Sequence, residues 1–433
     1  MNKGKVVIIG NGIAGSTAAR NIRKLSDNEI IMISDETKYP FSRTALMYIF
    51  MGHVRREDTK LYEDWFWEKN RIQLLHGLVS DVNPDKKNIV LESGQVIDYD
   101  KLIIATGSKP AACTWPGQEL EGVQGLYHLR DLDKMETMAR AGLRRAVIVG
   151  GGLIGIEMAE MFHSRHIPVT MIVREDSYLN AILPPEESAT ITKHIRAFGI
   201  DLRLNEELLK INGQEGRVTS VICKHTGDEI PCGFVGLTIG VSPNINFLTS
   251  SGITLSKGIR VNDYLQTSAE DIYAIGDCAE IAAPKPGRRP IEAVWYTGRL
   301  MGETVAKTIC GQPTVYNPGI WFNAAKFFDI EYQVFGDIPA RTPENITSLF
   351  WKHPKENKSI RINYDLKSAA VTGFTLLGIR YRHPVCEKWL ADKTDIKTVL
   401  ENLSSANFDP EFFDVYHDKM VELYNSRIKN TLV

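Results

Sequence analysis

The chain has 433 residues, 43% hydrophobic and 24% charged, enough for two to four buried cores at roughly 150 residues per domain. A formal net charge of −2 gives no field that calls for nucleic acid or an anionic membrane surface, and no apolar run approaches the ~20 residues of a membrane span. The six cysteines, at 113, 223, 232, 278, 310 and 386, form no C-x-x-C or C-x-x-x-x-C pair, which argues against a zinc or iron–sulfur site and against a disulfide scaffold.

Residues 5–9 are an apolar run suited to a parallel strand buried on both faces. The run begins too near the first residue to leave room for a cleaved leader, so the cytoplasm is the expected location. Gly10-Asn11-Gly12-Ile13-Ala14-Gly15 follows, then a helix-period segment over 16–25 and a second strand over 30–33. Residues 61–70 read as an aromatic-rich helix, 72–78 and 88–91 as strands, and 101–105 as another buried strand, ending at Thr106-Gly107. The βαβ pattern then repeats. A strand over 146–149 leads into Gly150-Gly151-Gly152-Leu153-Ile154-Gly155, a helix over 156–165 and a strand over 169–173. An amphipathic helix over 186–198 comes next, with strands over 201–204, 234–239 and 271–275; the last two end at Gly240 and at Gly276-Asp277. The basic cluster 285–289 lies between prolines and reads as a solvated loop. Beyond Gly311-Gln312-Pro313, alternating segments at 331–335, 348–351, 359–364 and 369–377 predict an antiparallel sheet. The last ~45 residues look helical, with a turn at Phe408-Asp409-Pro410.

Both turns carry G-x-G-x-x-G between a strand and a helix. The first glycine (Gly10, Gly150) permits the tight bend, the second (Gly12, Gly152) lets backbone approach a pyrophosphate, and the third (Gly15, Gly155) lets helix pack on strand. The helix N-terminus, with Ile13 and Ala14 or Leu153 and Ile154 in its first turn, offers free N–H groups and about half a positive charge. One copy is a weak signal; two, each in βαβ context, point to two dinucleotides. An acid at the end of the second strand is expected for the ribose hydroxyls, and Asp35 fits, with Glu36 a neighbouring candidate. In the second unit Arg174 suits a 2′-phosphate and Glu175 a free 2′-hydroxyl, so NADPH and NADH both stay open. Asp277, at a strand end beside Gly276, can accept hydrogen bonds from a polyol.

These motifs, with Ala105-Thr106-Gly107 and the G-x-x-P-N segment Gly240-Val241-Ser242-Pro243-Asn244, stand in the order found in the two-dinucleotide-binding-domain flavoproteins. Over about residues 4–310 the chain resembles the pyridine nucleotide–disulfide oxidoreductases. The resemblance implies an α/β fold with two Rossmann-like domains of the glutathione reductase type and an α+β C-terminal domain. An FAD domain would occupy 1–112 and 245–315, an NAD(P)H domain 113–244, and an interface domain with a helical tail, suited to a homodimer contact, 316–433. Asp277 would hold the ribityl chain of FAD. The segment 292–302, with Trp295, would set a helix N-terminus near the flavin pyrimidine ring. Glu157 would lie beside the nicotinamide.

Disulfide- and peroxide-reducing relatives keep a cysteine where this chain has Tyr39 to Leu46, which contains none, so no thiolate relay is expected. The stretch is instead similar to that of rubredoxin and ferredoxin reductases and of the flavin-binding part of assimilatory nitrite reductase large subunits, as are Leu61-Tyr62 and Trp65. Arg43 matches the arginine over the flavin, and Tyr48 falls where those reductases carry lysine. Trp321 and Phe322 are candidates for an aromatic facing the flavin, or for core aromatics. The implied reaction is hydride transfer from NAD(P)H to FAD, then electron transfer to a small iron–sulfur or rubredoxin-type carrier. The alternatives are a cysteine-less NADH oxidase and a redox-regulated binding protein similar to apoptosis-inducing factor.

Overall fold

The computed structural model describes residues 3–111 and 113–431, with side chains up to 427; the expected domain boundary at residue 112 lies outside the described residues. The chain divides into two compact units. The first takes the chain up to Cys113, Gly125–Arg140 and Gly240–Pro318; the second takes Thr114–Gln124, Ala141–Ile239 and everything from Gly319 on.

The first unit is built on a five-stranded parallel sheet in the order Ile272–Ala274, Lys101–Ile104, Lys5–Ile9, Glu29–Ser34, Ile72–His76. Its strands are continuous runs of Val, Ile and Leu because both faces are covered, and Val6, Val7 and Ile8 are fully buried. Helix Ile13–Leu25 packs against helix Trp295–Ile309. They approach closely at Gly302, where a Cβ would stand 2.6 Å from the Ala14 carbonyl oxygen. Strand order reverses between Lys5–Ile9 and Lys101–Ile104, which opens a crevice at the carboxyl ends of those strands. The first glycine turn sits there.

The second unit repeats the device. Its parallel sheet runs Asp201–Arg203, Val169–Ile172, Ala146–Val149, Phe234–Leu237, Val123–Gln124, again reversing beside the glycine turn. An antiparallel sheet follows in the order Phe322–Phe327, Ile330–Gly336, Val371–Leu377, Ser359–Asp365, Ile346–Lys352. Helices His383–Ala391 and Ile396–Glu401 complete its core around Phe374 and Leu376. Helix Pro185–Ala197 is fastened to this sheet by Arg361, which donates to Glu187 at 2.7 and 2.8 Å and to Glu186 at 2.7 Å.

The α/β class and the C-terminal antiparallel sheet expected from the sequence are present. Several features differ from the sequence reading, among them the antiparallel sheet Leu208–Gln214, Arg217–Cys223, Glu229–Pro231, which was not foreseen. Helix Leu129–Arg140 was not foreseen, and it groups with the first unit although its numbers fall inside the expected inserted domain. Strand Phe322–Phe327 adds a fifth member to the last sheet. The basic cluster 285–289 is not uniformly solvated, since Arg288 is only 10% exposed and pairs with Glu292 at 2.5 Å. Among the described residues no helix is long and apolar enough to cross a membrane.

Candidate functional site

The first glycine turn has the geometry its spacing demands. Gly10 adopts φ +107°, and a Cβ there would lie 2.1 Å from the Ala105 carbonyl oxygen; a Cβ on Gly15 would lie 2.0 Å from that of Gly10. Gly12 differs: a Cβ there meets nothing within 4 Å. It caps helix Ile13–Leu25 with no side-chain hydrogen bond, so the cap residue leaves the first-turn N–H groups for a ligand to satisfy. Asn11 Nδ2 donates to the Thr37 carbonyl at 2.8 Å and ties the turn to the segment carrying Asp35 and Glu36.

Around this turn the fold gathers most of the residues singled out for the first dinucleotide. Gly276 places its Cα beside Ala14, so that a Cβ would stand 3.1 Å from the Ala14 methyl. Next to it Asp277 accepts from Ser108 Oγ at 3.0 Å. Burial pushes the Asp277 carboxyl up, against the pull of Ser108 and Arg43. A buried carboxylate in this state is stabilised by further hydroxyl donors. Thr106 Oγ1 donates to Asn244, and Gly107 adopts φ +65° beside the Tyr127 hydroxyl. Trp295 opens helix Trp295–Ile309, whose N-cap Val294 supplies no side-chain hydrogen bond. A glycine in its first turn, Gly298, lies against Ile13 and Ala14.

Arg43 and Glu36 form a cluster that the sequence did not foretell. Arg43 Nη2 lies 2.6 Å from Glu36 Oε2, Nη1 donates to the Tyr127 carbonyl, and the guanidinium stands 4.5 Å from the Tyr127 ring centroid. Glu36 also takes the Leu129 N–H at 2.8 Å and lies 3.3 Å from His128 Nδ1. Burial alone would raise its carboxyl; His128, Arg43 and the Leu129 N–H outweigh burial and hold it at about 2. Glu36 is thus committed to its own chain, while Asp35 is exposed.

The second turn follows the same rules. A Cβ on Gly150 (φ +119°) would come 2.6 Å from the Thr238 carbonyl, and one on Gly155 2.6 Å from that of Gly150, while Gly152 meets only Thr238 at 3.8 Å. Helix Leu153–Ser164 is likewise uncapped by any side chain. Tyr178, fully buried, donates to the Gly152 carbonyl at 2.8 Å. Arg174 and Glu175 bond each other at 2.8 Å, with Arg174 78% exposed. Gly240 belongs to the first unit and adopts φ +123° with open space at its Cβ position. Glu157, on the helix after the turn, is pushed up to about 7 by burial and by Glu160, against the opposing charge of Lys326.

Of the aromatics weighed for the C-terminal domain, Phe322 stacks on His383 at 4.4 Å and joins that sheet's core, the second of its two readings. All six cysteines are unpaired, and burial pushes each thiol up. Among the described residues no cluster of His, Cys, Asp and Glu could hold a metal ion.

The model of the family "pyridine nucleotide-disulphide oxidoreductase" matches residues 4–302. The chain belongs to this family. Its fold is the family's. It is 28% identical over 316 residues to the assimilatory nitrate reductase electron transfer subunit of Bacillus subtilis (strain 168), a match covering 72% of this chain and 40% of that protein. The chain therefore matches less than half the length of that relative. It is 31% identical to rhodocoxin reductase of Rhodococcus erythropolis, over 73% of this chain and 74% of the relative. The crystal structure of NADH:rubredoxin oxidoreductase from Clostridium acetobutylicum aligns with a TM-score of 0.71 at 26% identity, over 93% of this chain and 100% of that one.

Proposed function

We propose that the protein takes a hydride from NAD(P)H onto FAD and passes the electrons to a small carrier of rubredoxin or ferredoxin type. One observation carries this reading: two glycine turns, each with an open second glycine and an uncapped helix, occur in a chain whose cysteines are unpaired and whose thiols are pushed up by burial. Two such turns offer places for two diphosphates, and protonated thiols offer no covalent relay. The names of two relatives, a rhodocoxin reductase and a rubredoxin oxidoreductase, agree with a carrier as acceptor.

When bound, FAD supplies an N5 that accepts hydride and a ring system that releases electrons. The residues present fit it. First-turn N–H groups of Ile13 to Gly15 would take the pyrophosphate beside Gly10 and Gly12, and Ala105 to Gly107 would wall the crevice. Asp35 would take the adenosine ribose, since Glu36 is occupied in holding Arg43. Asp277, beside Gly276, would accept from the ribityl hydroxyls, Arg43 would lie over the ring, and Trp295 with its helix N-terminus would face the pyrimidine edge. NAD(P)H would bind through Leu153, Ile154 and the glycines Gly150, Gly152, Gly155 and Gly240, with Glu157 beside the nicotinamide. The mutual pairing of Arg174 and Glu175 leaves NADH and NADPH equally placed. We assign FAD to 1–112 and 245–315, the nicotinamide dinucleotide to 113–244 and an interface role, including a homodimer contact, to 316–433, and we propose the cytoplasm as the place of work.

Anaerobic turnover with NADH and with NADPH tests the reading. Rapid oxidation only when rubredoxin or a two-iron ferredoxin is present is the expected result. Equally fast turnover with oxygen alone would remove the carrier from the scheme, and a colourless polypeptide that takes up no FAD would sink the whole reading.

A further inference from the structure

Helix Leu153–Ser164 carries two carboxylates one turn apart, Glu157 and Glu160. Glu160 is 8% exposed, and Lys326, on strand Phe322–Phe327 of the antiparallel sheet, reaches it with Nζ 2.7 Å from Oε1. Among the described residues, the charges that act on Glu157 are those of Glu160 and Lys326. Strands Ala146–Val149, Val169–Ile172 and Phe234–Leu237 are apolar apart from Thr170. Tyr178 presents a phenol already bonded to Gly152, and His163 faces the rings of Phe198 and Phe328. One lysine thus stands beside two carboxylates one turn apart, Glu160 buried and Glu157 half-buried, and such a cluster sheds its excess negative charge most readily by taking up one proton.

We propose that Lys326 and Glu160 are positioning residues that settle a single exchangeable proton on Glu157, making it a hydrogen-bond donor to the carboxamide of a bound nicotinamide. The proton is drawn from and returned to solvent, and no electrons move. The inference rests on the proposed binding of NAD(P)H at the second glycine turn. Burial and Glu160 lift the Glu157 carboxyl to about 7, while Lys326 opposes them. Dinucleotide affinity therefore falls as pH rises through that value, tending to about tenfold per pH unit beyond it.

The test uses the FAD-loaded protein between about pH 5 and 9. Infrared difference spectra follow the C=O stretch of the neutral carboxyl, and a binding titration follows tetrahydro-NADH, which cannot give a hydride. Lys326→Met is expected to move the inflection to higher pH and Glu160→Gln to lower pH in both measurements. Lys326→Arg should keep the wild-type value, and Glu157→Gln should abolish the band and flatten the affinity profile. Inflections unmoved, or moved in the same direction by Lys326→Met and Glu160→Gln, overturn the proposal. Infrared shifts as expected with affinity independent of pH overturn the donor role while leaving the function standing. No dinucleotide binding in any form at any pH overturns the assignment of the second turn, and this inference with it.

Discussion

A methyl group added at Gly15 would meet the Gly10 carbonyl at 2.0 Å, whereas one at Gly12 would meet nothing within 4 Å. The two glycines of one motif therefore answer to different demands. Gly15→Ala strikes the fold and should cost roughly 1–3 kcal/mol or more, with or without flavin, by denaturant titration. Gly12→Val should leave the midpoint of the flavin-free protein near that of wild type and give a colourless preparation. In the second turn Gly152→Val should keep the flavin and raise the KM for NAD(P)H. A second prediction concerns Glu36. Its carboxyl is held at about 2 from an ordinary 4.5, and its side chain is 10% exposed. A depressed carboxylate contributes stability that is complete above its unfolded value and disappears as pH falls through the folded one. Glu36→Gln should thus cost about 2–3 kcal/mol at neutral pH, a gap that closes between about pH 4.5 and 2. The glycines and Asp277 were legible in the sequence because each meets a backbone or strand-end requirement of fixed spacing. Tyr127 was not: it reaches Arg43 from 84 residues away, and no spacing rule joins them. Thr238, Ser108 and Lys326 escaped for the same reason, although Asp131, which accepts the N–H groups of Tyr127 and His128, was a cap signal for the helix that follows.

Elements were most legible where both faces are buried. Strands Lys5–Ile9 and Ala146–Val149 have the bounds their apolar runs suggest. Strand Phe322–Phe327 was missed because its sequence, FNAAKF, has neither β-branched residues nor clean alternation; its partner strand makes it. Such pairing is a tertiary effect that local preference does not encode. The junction between helix Pro185–Ala197 and the C-terminal sheet makes a third prediction. Glu187 is fully buried and Arg361 is 4% exposed. Removing one partner leaves a buried charge alone, so Arg361→Met should destabilise by about 3–5 kcal/mol. Arg361→Met combined with Glu187→Leu should recover much of that loss, because the apolar pair has no charge to desolvate. A double variant no more stable than the single one would mean that the pair is not what holds the helix down.

For the molecule as a whole, the state of its thiols sets a limit on mechanism. Alkylating the half-buried Cys113 and Cys310 with iodoacetamide should leave carrier-dependent turnover unchanged, and a proportional loss of rate would reinstate a thiol relay. The α/β class was open to sequence reading because two βαβ units repeat. The grouping of Gly125–Arg140 with the first unit was not, since it depends on which surface a short helix finds. That interleaving has a consequence for biogenesis. The chain passes between the units five times, and strand Lys101–Ile104 acquires its outer neighbour, Ile272–Ala274, only after about 170 further residues have been translated. Until then a nascent polypeptide on the ribosome displays one bare sheet edge, a template for aggregation. That edge stays open to other chains for as long as the intervening segment takes to emerge.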